Sequence, residues 1–127
     1  MKQHEQALLL LGKAAEDEAL LDEVVTSERV SDGVFGFHCQ QAAEKLLKAL
    51  LSNFGVAFPR THNLRVLMDL AEDAGHALPA ALADLDVLTP FAVLFRYEYL
   101  SADAPLDRRH ARGIVRDLRR HVEFLLS

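Results

Sequence analysis

"FHCQQAAEKLLKALL", residues 37–51, decides what kind of chain this is. Cys39, Ala42, Ala43, Leu46 and Leu50 recur at intervals of three and four, which bring side chains to one face of an α-helix. At about 100° per residue, His38, Gln41, Lys45 and Lys48 fall in one narrow stripe opposite, with Glu44 at its margin. Glu44 and Lys48 form an i,i+4 pair that supports such a helix. The segment therefore predicts an amphipathic helix whose carbon-rich face enters a core. Its polar stripe is either a wet outer face or a seam turned toward something.

The flanking segments follow the same period. From about residue 4 to 25, Ala7, Leu10, Leu11, Ala14, Leu21 and Val25 keep helical spacing, and Glu18 interrupts them. "TSERVSDG" (26–33) collects turn formers, with Ser27, Ser31 or Asp32 placed to cap the second helix, which should end at Gly55. "VAFPRTHN" (56–63) leads, through a capping Thr61 or Asn63, into a third helix with Leu64, Leu67, Met68 and Ala71 on one face and Gly75 as its left-handed stop. Pro79 suits the first turn of a fourth helix, and Pro90 breaks that helix into pieces over roughly 79–88 and 90–100. "SADAPLD" (101–107) is a loop closed by a capping Asp107 before the last helix. The prediction is an all-α fold, an up-and-down bundle of four to five helices forming a single domain over 1–127.

Composition agrees. The chain has 127 residues, 50% hydrophobic and 26% charged, with no Trp, enough for one soluble domain to close a core unaided. Its net charge of -5 excludes a protein that coats nucleic acid over its whole surface, but not one with a local basic patch. The charge is polarised: residues 1–30 carry seven acidic side chains against three basic, whereas residues 108–120 carry six Arg against Asp117 alone. Cys39 is the only cysteine, so there is neither an internal disulfide nor a cysteine-based zinc site, and no metal or cofactor is expected. The longest apolar runs, 7–11 and 90–95, are too short to span a bilayer and follow no leader. The expected setting is cytoplasmic, without membrane association.

The stretch at 37–51, followed by "FPRTHNL" (58–64) and an apolar run ending in "RYEY" (96–99), resembles the HEPN (higher eukaryotes and prokaryotes nucleotide-binding) domain. Prokaryotic members carry a second helix close to QQAAEKxLKALL, then a Thr-His-x-Leu helix start and later an Arg-Tyr pair. "KAAEDEALLDEVV" (13–25) is compatible with the family's first helix. The resemblance spans roughly residues 7–125 and implies a helical bundle that dimerises and works on or beside nucleotides and RNA. Many HEPN proteins are metal-independent endoribonucleases marked by an Arg followed after four to six residues by a His. Others lack that motif and serve as non-catalytic partners, often of a small nucleotidyltransferase encoded next door in a toxin–antitoxin arrangement.

Metal-free RNA cleavage needs a base for the 2′-hydroxyl proton, an acid for the leaving oxygen and a cation for the phosphorane charge. Arg96 stands where the family arginine is expected, yet "YEYLSAD" after it contains no His. Tyr97 and Tyr99 are placed to hold a phosphate. The literal match, Arg116 and His121, is of the kind that ten Arg and six His produce by chance, and residues five apart on a helix diverge by about 140°. No catalytic residue is assigned.

Arg96 also has a structural reading, a guanidinium packed among apolar side chains and paired, with Glu44 the preferred partner. Glu18, likewise set among apolar neighbours, is the other candidate for buried pairing. His62, with Arg60 beside it, stands at the start of the third helix, where backbone N–H groups can hold an anion; packing over the first turn is the plainer role. On the last helix Arg108, Arg112, Arg116 and Arg119 share one sector, flanked by Arg109 and Arg120, opposite Ala111, Ile114, Val115, Leu118, Val122 and Leu125. Arg suits phosphate and carboxylate forks. The sector therefore meets RNA or nucleotide phosphate, an acidic partner protein, or the acidic first helix of this chain or its twin.

The resulting expectation is a homodimeric, nucleotide- or RNA-associated partner domain of a nucleotidyltransferase. Its candidate binding residues are His38, Gln41, Lys45, Lys48, Arg60, His62, Arg96 and Tyr97, with Arg108, Arg112, Arg116 and Arg119 as a basic face. The alternatives are a metal-independent endoribonuclease toxin using Arg96 with His62 or His38, and an interaction module without a nucleotide role.

Overall fold

The computed structural model describes residues 2–94 and 106–127. Its α-helices are α1 (Lys2–Val24), α2 (Asp32–Asn53), α3 (Leu64–Asp73), α4 (Phe91–Leu94) and α5 (Arg108–Leu126). No strand occurs among the described residues.

The stretch at 37–51 forms the middle of α2, and α2 is the axis of the fold, packing against each of the other helices. Cys39, Ala42, Ala43, Leu46 and Leu50 are all fully buried. They join Ala7, Ala14 and Leu21 of α1, Leu64, Leu67 and Ala71 of α3, and Val115, Leu118 and Val122 of α5 in one core. Burial of the Cys39 thiol pushes its pKa up to about 12, so it is an inert core atom. Small residues let neighbouring helices approach α2 closely. At Gly36 a Cβ would stand 2.3 Å from Cδ1 of Phe91, so only glycine admits that ring there.

Local chemistry accounts for the helix ends. Ser31, Asn63 and Asp107 are the N-caps of α2, α3 and α5, accepting hydrogen bonds from the amides of Val34, Arg65 and His110. Gly55 and Gly75 have φ of 70° and 87°. After each, the next amide returns to the helix's last turn, Val56 to Leu51 at 2.9 Å and His76 to Ala71 at 2.8 Å, which satisfies carbonyls that would otherwise lack donors.

The segment read as the first piece of a fourth helix differs. Residues 80–88 form two 3₁₀ turns, Ala80–Leu82 and Leu85–Leu88. Leu82, Leu85 and Leu88 are the buried residues of these turns, and their spacing of three matches the 3₁₀ period. The chain becomes α-helical again only after Pro90, at Phe91.

Polar contacts set the directions. His4 meets Asn53 and Asp17 meets Lys45, so α1 and α2 are antiparallel. Leu11 meets Arg119 while Val24 meets Arg108, so α1 and α5 are antiparallel as well. α2 and α5, which pack directly against each other, therefore run parallel.

Candidate functional site

Two carboxylates of α1, Asp17 and Glu18, stand on opposite shoulders of the buried stripe through Ala14 and Leu21. Asp17 turns toward α2, where His38 Nδ1 donates to Oδ1 at 2.9 Å and Lys45 Nζ to Oδ2 at 2.6 Å. Half of the polar stripe is thus a helix-to-helix clamp. Asp17 was not singled out in the sequence, although its place beside Glu18, both flanking the apolar stripe, is the signal that marks it.

The other half centres on Glu44, whose residue is buried. Its carboxylate accepts from Lys48 at 2.9 Å, from His62 Nδ1 at 2.8 Å and from Gln40 at 3.2 Å. Gln40, fully buried, also donates to the His62 carbonyl at 2.8 Å and accepts from Gln41 at 2.7 Å, so its amide is satisfied on both sides. Burial alone would raise the Glu44 pKa, but the hydrogen bonds from Lys48, His62 and Gln40 outweigh it and hold the carboxyl below its ordinary value of 4.5. A depressed folded pKa contributes stability above the unfolded value, lost as pH falls through the folded one. Glu44→Gln should therefore flatten the loss of stability below about pH 4.5, measured as urea midpoints from pH 3 to 7; an unchanged slope would contradict the network.

His62 is held by its ring and its carbonyl, yet its side chain is 61% exposed. The start of α3 is capped internally: the Leu64 amide donates to Thr89 Oγ1 at 3.2 Å and the Arg65 amide to Asn63 Oδ1 at 2.9 Å. Arg60 is exposed nearby in sequence. Arg96 and Tyr97, like Tyr99, lie outside the described residues, and so does the expected Glu44 to Arg96 pairing.

Glu18 turns the other way, toward α5. Arg119 Nε donates to it at 2.6 Å and Arg112 Nη1 at 3.4 Å, the buried pairing expected of it. Arg112 also grips Asp22 with Nε at 2.6 Å and Nη2 at 3.1 Å. That hydrogen bonding, together with the positive charge of Arg112 and Arg116, outweighs partial burial and holds the Asp22 carboxyl below its usual range. Arg108 donates to Asp32 and to the carbonyls of Val24, Ser27 and Val30, with its guanidinium over the Phe35 ring. Three of the four arginines named as a basic face thus meet the acidic end of this same chain. Arg116 is different: it is exposed, 4.0 Å from Asp22. Arg116 and His121 lie in one unbroken helix and diverge as their spacing requires.

No cluster of three or more metal-ligating side chains occurs among the described residues, nor is any described helix long and apolar enough to cross a membrane. What fold and site define is a helical bundle pinned by carboxylate networks on either side of its central helix. The chain belongs to the HEPN domain family, whose model matches residues 9–127. Membership suggests a nucleotide- or RNA-related function. Neither the curated proteins nor the solved structures gave a match.

Proposed function

We propose that this HEPN domain is a nucleotide- or RNA-associated partner of a small nucleotidyltransferase in a toxin–antitoxin-like pair, that it works as a homodimer and that it does not itself cleave RNA. The observation that carries this reading is the engagement of the motif residues. His38, Lys45, Lys48 and His62 each answer a carboxylate inside the fold. A self-sufficient nuclease needs an acid, a base and an unpaired cation converging on one phosphate, and among the described residues these side chains instead divide between Asp17 and Glu44.

The rival reading, a metal-independent endoribonuclease, is favoured by one feature. His38 with Asp17 and His62 with Glu44 are carboxylate–imidazole pairs, the arrangement that orients a general base. Incubating purified protein with single-stranded RNA, with and without EDTA, separates the two. The expected result is intact RNA in both, with chemical-shift changes on adding ATP or RNA. Cleavage that survives EDTA and disappears in Arg96→Ala or His62→Ala would establish the nuclease. Absence of any shift with ATP or RNA would leave only protein partners.

A further inference from the structure

The six arginines of α5 form two stripes, which their partners separate. At about 100° per residue, Arg108, Arg112 and Arg119 lie within about 40° of one another and face α1. Arg109, Arg116 and Arg120 lie within about 40° of one another on a second line, turned about 80° from the first, and all three are exposed. Among the described residues, no hydrogen bond or ion pair engages Arg109 or Arg120, and Arg116 reaches only the 4.0 Å approach to Asp22. This second stripe continues through Gly113, where an added Cβ would meet nothing within 4 Å, and ends beside Phe124, which is 76% exposed.

We infer that the stripe Arg109–Gly113–Arg116–Arg120–Phe124 is a docking track for single-stranded RNA. The inference rests on the proposed RNA association and gives it a place. Three guanidiniums rise along about 16 Å of helix and offer their forks to successive phosphates. Arg109, Arg112 and Arg116 also wall a cavity of about 130 Å³ with Asp22 and Val25. Both Asp22 oxygens are taken by Arg112, so the wall keeps an excess of positive charge at Arg109 and Arg116, where a phosphate oxygen would enter. Of the carboxylates around the line, Asp22 is 4.0 Å from Arg116, Glu123 faces Arg119 at 3.5 Å, and Asp117 is exposed beside Arg116.

An exposed phenyl ring at the end of a cationic stripe is a stacking platform for an unpaired base. An acidic protein is the less suitable occupant, because a protein interface has an apolar centre with charge at its rim, whereas this line carries three guanidiniums along its length and an aromatic ring only at its end.

The test is fluorescence anisotropy with a labelled 12-mer of oligouridylate across a salt series, with poly-glutamate of equal charge as competitor. The Arg109→Gln/Arg116→Gln/Arg120→Gln variant should lower the salt slope by about 2, at ~0.7 for each phosphate that no arginine neutralises any longer. Phe124→Leu keeps the apolar bulk but removes the ring face, and should weaken binding about tenfold. Lys13→Gln, exposed elsewhere, should change neither. Circular dichroism melts matching the parent keep these readouts free of unfolding.

RNA binding that ignores both α5 variants would overturn the track while leaving the RNA-associated reading standing. No binding at low salt would overturn the track and the RNA part of that reading together. Poly-glutamate displacing the RNA at equal charge, with no effect of Phe124→Leu, would show a surface for acidic proteins and also overturn it.

Discussion

Glu18→Ala should destabilise the fold by about 3 kcal/mol, read as a fall in the urea midpoint at pH 7. Glu18 is only 5% exposed, and two guanidiniums converge on it. Removing a carboxylate from such a cluster leaves cations desolvated without their counter-charge, which typically costs about 3–5 kcal/mol. The lower end applies because Arg119 keeps the Leu11 carbonyl at 2.9 Å and Arg112 keeps Asp22. Glu18→Gln should cost less, since the amide oxygen still accepts one hydrogen bond. Glu16→Ala on the same helix should shift the midpoint hardly at all, because its side chain is 74% exposed and its partner Lys13 is 3.7 Å away. Equal effects at positions 16 and 18 would refute the buried cluster.

Arg108→Ala should cost about 2–3 kcal/mol and loosen the connection between α1 and α2. One guanidinium there serves Asp32 and three backbone carbonyls, at Val24, Ser27 and Val30. Those carbonyls end α1 and form the turn after it, so without the side chain several polar groups lose their donor at once. Arg108→Lys should not restore the loss, because an ammonium lacks the planar fork that reaches spread acceptors. Limited trypsin digestion at Arg29, exposed in that turn, gives the local readout: cleavage should accelerate several-fold in both variants. An unchanged rate would mean that the turn holds itself.

Residues within a few positions of one another carried most of the fold. The period of α2, the caps Ser31, Asn63 and Asp107, and the left-handed stops at Gly55 and Gly75 depend on backbone geometry over one or two turns. The first piece after Pro79 was misread because leucines at intervals of three fit a helical face loosely and a 3₁₀ face closely. The candidate site was less legible. The polar stripe of α2 is visible as a stripe, but periodicity gives only an angle on a cylinder, and no angle says what stands opposite. Gln40 illustrates the limit: it reads as one more polar residue beside Gln41, yet it is fully buried and ties α2 to the chain before α3.

By itself the amino-acid sequence determined that this chain is a helical bundle of HEPN type, because helix faces and ends are written in short-range spacing. Only the tertiary structure decided which charges remain available. Six arginines on one helix look alike until α1 is laid against them in the antiparallel direction, bringing Glu18 and Asp22 to some and not to others. Desolvation and pairing depend on what lies across a helix interface, and that is settled by packing between segments about ninety residues apart.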